Sequence, residues 1–129
     1  MHSFGADYSC TLKTPWGESA WRSEDIPQAI AAINESNKVI LGGDVISLEM
    51  KSTYDSWYYQ PTWKTHDNYV SSLRKNTEES IRCAEEYIKR YVDMHGDGYL
   101  FILVVCSGNE ALLYSNRQGN TGNSLREAE

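Results

Sequence analysis

The chain has 129 residues, of which 40% are aliphatic, aromatic or sulfur-bearing and 23% charged. That is one globular domain's worth of chain, and neither a disordered nor a collagen-like composition. Eighteen acids against 12 bases give a net charge of −6, which argues against binding nucleic acid or anionic lipid, since both ask for a basic face.

From Tyr8 to Lys13 apolar and polar residues alternate, which predicts a half-buried strand that Pro15-Trp16-Gly17 breaks. Ser23 is placed to cap a first helix, with Glu24 and Asp25 at its positive end and Pro27 in its first turn. Ile26, Ala29, Ile30 and Ile33 form its apolar stripe, and it should end near Asn37. Lys38 to Met50 reads as one strand kinked at Gly42-Gly43, where the chain must bend, bulge or admit another backbone closely. Thr53 to Trp63 holds Tyr54, Trp57, Tyr58, Tyr59 and Trp63, and predicts an edge strand running into a loop at Pro61. Trp57 and Tyr59 alternate to the packed side, which leaves Tyr58 and Trp63 at the surface.

Asp67 can cap a helix beginning near Asn68, and Asn76 offers a second cap with Glu79 three residues on. Ile81, Ala84, Tyr87, Ile88, Tyr91 and Val92 then recur at helical spacing. The outer face predicts Glu85–Lys89 and Glu86–Arg90 ion pairs. His95-Gly96-Asp97-Gly98 ends the helix. Tyr99 to Cys106 has no charged position and predicts a central strand buried on both faces. Ser107 to Glu110 reads as a hairpin turn and Ala111 to Ser115 as a returning strand. The order predicts a single α+β domain over residues 1–115, with two helices packed on a mostly antiparallel sheet, and a flexible polar tail over 116–129.

Chemistry-bearing motifs are missing. The chain has no phosphate-binding glycine loop, nucleophile elbow or HExxH pair. Cys10, Cys83 and Cys106 are odd in number, far apart and without zinc spacing. They predict three reduced thiols in a cytoplasmic protein, Cys83 and Cys106 buried. The longest apolar run is too short for the roughly 20 residues of a membrane span, and the N-terminus has no secretory-signal pattern. His66 beside Asp67 reads as a loop histidine next to a helix cap, and Cys106, ending an apolar strand, as a poor nucleophile. The reading is therefore of a protein that is not an enzyme and uses no cofactor or metal.

Two features remain: the aromatic density at residues 54–63, and an acidic first half in which residues 1–60 hold eight acids against four bases. Rings rimmed by carboxylates suit a basic protein target, because charge speeds encounter and buried rings slow release. Asp44, Glu49, Asp55, Tyr58 and Trp63 are the expected partner-binding residues. Gly42, Gly43 and Trp57 are assigned to backbone geometry and packing. The alternative is a small-ligand or carbohydrate-binding module that stacks its ligand on Trp57, Tyr58 and Trp63.

Val39-Ile40-Leu41-Gly42-Gly43-Asp44-Val45, preceded by Pro27-Gln28-Ala29-Ile30 and followed by Tyr54-Asp55-Ser56-Trp57-Tyr58-Tyr59, resembles the immunity protein 40 family of bacterial polymorphic toxin systems. Tyr87, Ile88 and Tyr91 followed by the strand Leu100 to Val105 add to the likeness, which covers residues 21–106. The resemblance implies a small cytoplasmic antidote that binds and blocks a delivered toxin domain, as in contact-dependent growth inhibition. Toxins of such systems are often nucleases with basic clefts. The implied partner is thus the C-terminal domain of a cognate toxin, with no nucleic acid or membrane bound. Self-association is left open.

Overall fold

The computed structural model describes residues 2–64, 68–113 and 116–118. Its centre is β7 (Tyr99–Ser107), nine residues that lie almost wholly buried, as the apolar run requires. On one flank β7 pairs antiparallel with β4 (Lys38–Ser47), which pairs antiparallel with the edge strand β5 (Thr53–Tyr58). On the other flank it pairs with β1 (His2–Ser3) and β3 (Ser19–Arg22), and β3 continues to β2 (Leu12–Lys13). The result is an α+β domain on a six-stranded antiparallel sheet.

Two long elements cover one face of the sheet. A 3₁₀ turn (Ser23–Asp25) leads into α1 (Ile26–Glu35), and α2 runs from Tyr69 to His95. Ile33 of α1 and, beneath the helices, Trp21, Ile40, Val45, Phe101 and Leu103 are fully buried, and Trp57 nearly so. The opposite face carries a smaller cluster of Ala20, Ile46, Leu100 and Ile102, closed by Leu12, Met50 and Val104.

β4 is one strand with a register shift between Ile40 and Gly42. The Ile40 amide beside the shift donates to Ser80 Oγ of α2 at 3.0 Å, so an irregularity in the ladder leaves no buried donor stranded. Glycine is required at both following positions. Gly42 has φ +149°, and a Cβ there would lie 2.2 Å from the Trp57 carbonyl oxygen. A Cβ on Gly43 would lie 2.1 Å from the Ile102 carbonyl oxygen and 2.5 Å from Trp57 Cη2.

Several local expectations are corrected. Only Leu12–Lys13 of the predicted first strand is extended. Tyr8–Thr11 turns instead, because the Thr11 hydroxyl donates to the Gly5 and Tyr8 carbonyls while Tyr8 packs on Phe4 and Trp21. β3 goes unanticipated because four residues carry no readable period. Ser23 opens the 3₁₀ turn without capping it, and α1 starts at Ile26. The second candidate cap, Asn76, is not used: α2 runs unbroken for 27 residues through it and is capped by Asn68, whose side-chain oxygen accepts from the Ser71 amide at 2.8 Å. Asp67, the expected cap, lies outside the described residues. Along α2, Arg74 pairs with Glu78, Arg82 with Glu86 and Lys89 with Asp93, in place of the predicted pairs.

The hairpin expected after β7 is a helix, α3 (Gly108–Leu113). Ser107 Oγ accepts from the Glu110 amide at 3.1 Å and Glu110 accepts from the Ser107 amide at 3.0 Å. This reciprocal capping box starts a helix where a turn was read. Cys106 is buried, whereas Cys83 is half-buried. Thr62–Lys64 (β6) pairs in parallel with Asn116–Gln118 (β8). The remainder of the predicted tail lies outside the described residues.

Candidate functional site

The site is built around β5, the edge strand of the sheet. Alternation turns Asp55 and Trp57 toward the helices, and Ser56 and Tyr58 to the other side. A register shift between Val45 and Ile46 adds a residue to β5 at this point. The extra residue, Tyr54, also reaches the helix side, where its ring meets Tyr99 edge-on at 5.5 Å.

On the helix side, α2 presents Tyr87, Tyr91 and His95 four residues apart, stacked one above the next. Trp57 lies on Tyr87 at 4.6 Å, Tyr87 on Tyr91 at 6.1 Å and Tyr91 on His95 at 4.4 Å. The Tyr87 hydroxyl donates a hydrogen bond to the Asp55 carboxylate. That bond holds Asp55 below the usual carboxylate range, helped by the Ser56 amide and by His95. Burial first, and Asp55 second, push the Tyr87 phenol up, so Tyr87 stays a donor. Beside this ladder, Glu49 lines a concavity of about 310 Å³ with Tyr54, His95 and Tyr99. Ring faces next to two carboxylates make a corner receptive to a guanidinium or ammonium group.

On the opposite face Tyr58 stands 87% exposed. Next to it Gly42 leaves a dip of about 250 Å³ walled by Leu41, Asp44, Tyr58 and Val104. Asp44 is held above the usual carboxylate range, first by burial and then by the charge of Glu18. Glu18 in turn accepts from the indole of the exposed Trp16 at 2.6 Å.

The five residues expected to bind a partner thus fall into three places. Asp44 and Tyr58 share the face turned away from the helices, Glu49 and Asp55 sit at the aromatic corner, and Trp63 lies half-buried in β6 rather than at the surface. Trp57 is buried on one side of the sheet and Tyr58 exposed on the other. With Trp63 they cannot form the single stacking platform that a carbohydrate module needs. Sequence reading missed Tyr87 and Tyr91 as site residues because their spacing reads equally well as a core stripe, and His95 because it falls in the helix-ending His95-Gly96-Asp97-Gly98 string. Trp16 and Glu18 gave no signal beyond a strand break.

Among the described residues no three His, Cys, Asp or Glu side chains are grouped to hold a metal ion. Burial, and then Glu110, push the Cys106 thiol up, away from a nucleophilic thiolate. His66 and Asp67 lie outside the described residues. No helix among those described is long and apolar enough to cross a membrane.

Compared with known families, residues 11–105 match the model of immunity protein 40. The chain belongs to the immunity protein 40 family. Its membership brings an antitoxin role and a cognate toxin as the partner. The matched span of this immunity protein contains β4, β5 and α2, which carry both faces of the candidate site. No curated protein and no solved structure matches the chain.

Proposed function

We propose that this immunity protein neutralises its toxin by stoichiometric binding over the β5 flank, in the cytoplasm and without chemistry of its own. The observation that carries the reading is the Asp55 carboxylate held by the Tyr87 hydroxyl beside an aromatic ladder on the edge strand of the sheet. Asp55 and Glu49 receive toxin Lys or Arg side chains at the corner, and Tyr58 with Asp44 engages it across the edge. A chain of net charge −6 suits a basic toxin such as a nuclease, whose substrate cleft it would occlude by taking the place of phosphates.

The test is binding kinetics against the C-terminal domain of the cognate toxin. Tyr58→Ala costs about 2–4 kcal/mol, read mainly as faster dissociation. The double variant Glu49→Gln/Asp55→Asn slows association. A complex in which the β5 flank stays in solvent refutes the reading.

A further inference from the structure

α2 has a second open flank. Tyr87, Tyr91 and His95 face β5, while Glu85, Ile88, Lys89 and Val92 face α1 across an open groove of about 480 Å³. The floor is aliphatic: Ile26, Pro27 and Ile30 from α1 meet Ile88 and Val92 from α2. Ile30 and Val92 are only half-buried, so the floor is reachable from outside.

The rim is acidic. Glu24, Glu85, Asp93 and Asp97 line it, and all four are exposed. Among the described residues Lys89 is the one cation lining the groove, and its ammonium is engaged with Asp93 at 2.8 Å. An aliphatic slot between carboxylates selects its occupant by charge. A second copy of this chain would bring the same negative rim and a net −6. An anionic lipid surface would be repelled as well.

We infer that the α1–α2 groove docks an amphipathic helical segment of a protein partner, its aliphatic side chains flanked by Lys or Arg. The site is separate from the β5 flank and does not rest on how the toxin is held there.

The test titrates the full chain with two model helical peptides of about 18 residues, roughly five turns. Both have one leucine face, and the polar positions are all Lys in one and all Glu in the other. The Leu–Lys peptide is expected to bind at least about tenfold tighter than the Leu–Glu peptide, and to weaken by about tenfold from 50 to 500 mM salt. Val92→Lys should abolish its binding. Glu24→Gln/Glu85→Gln, which leaves the floor intact, should weaken it several-fold with an unchanged melting temperature. Tyr58→Ala should leave it within about twofold, since that residue belongs to the β5 flank. Equal binding of the two peptides overturns the inference, as does Leu–Lys binding that survives both groove variants. Loss with Tyr58→Ala places the peptide on the β5 flank and overturns it too. None of these outcomes touches the toxin proposal, which is read with the toxin domain.

Discussion

Asp44 carries a charge that costs the fold stability. Burial and Glu18 raise its carboxyl above the ordinary range, so the folded state holds the proton more tightly than the unfolded one. The cost is absent below the unfolded-state midpoint, grows as pH rises between the two midpoints, and is full above the folded one. Asp44→Asn should therefore raise the melting temperature at pH 7 by a few degrees, under about 1 kcal/mol after solvent screening. The gain should vanish near pH 3, as calorimetry at the two pH values can check. A carboxylate kept at a stability cost on an accessible face fits a binding role. Asp55 has the opposite sign: its folded-state midpoint is lowered chiefly by the Tyr87 hydroxyl, so its contribution is present above the unfolded midpoint and lost as pH falls through the folded one. Tyr87→Phe removes that donor, and the Asp55 midpoint followed by carboxyl NMR should climb toward the ordinary value. An unchanged midpoint would show that the bond does not form in solution.

Among the elements, α2 does the most to hold the site, through a residue that looked like a helix start. Asn76 is buried mid-helix; its Oδ1 accepts from the Tyr59 hydroxyl at 2.8 Å and the Thr62 amide at 2.9 Å, and its Nδ2 donates to the Thr62 carbonyl at 2.7 Å. It is thus a clamp on the segment that leaves β5. Asn76→Ala strands the Thr62 amide and the Tyr59 hydroxyl in a part-buried setting and should cost about 2–4 kcal/mol in denaturant unfolding. Hydrogen exchange at 59–64 should quicken alongside. Asn76 with Glu79 has the spacing of a capping box, and Ser107 with Glu110 has the same one. The second is a helix start and the first is not, because the turn before Asn76 is already helical and continues from Asn68. Spacing alone does not separate the two.

At the scale of the molecule, α2 divides two acidic surfaces, the aromatic corner on its β5 side and the aliphatic groove on its α1 side. Both lie on a chain of net charge −6, so association with a basic toxin should be steered by long-range attraction. The association rate should fall by about tenfold or more between roughly 50 and 500 mM salt, while dissociation changes little. A rate that ignores salt in stopped-flow measurements removes the electrostatic part of the toxin reading.

The central β7, the α1 and α2 stripes, the kinked β4, the edge position of β5 and the family itself were legible in the residue order, because each rests on a periodicity or a string that local sequence carries. The inward Trp57 and outward Tyr58 followed from strand alternation alone. Where sequence reading stopped was at contacts between segments far apart in the chain. Nothing near Asp55 announces that Tyr87, 32 residues on, will donate to it, and nothing near Asp44 announces Glu18. Composition decided that this protein is acidic and ring-rich. Tertiary packing decided which carboxylates share a face and which rings stack, because those depend on register shifts of one residue and on which side of α2 each neighbour lies.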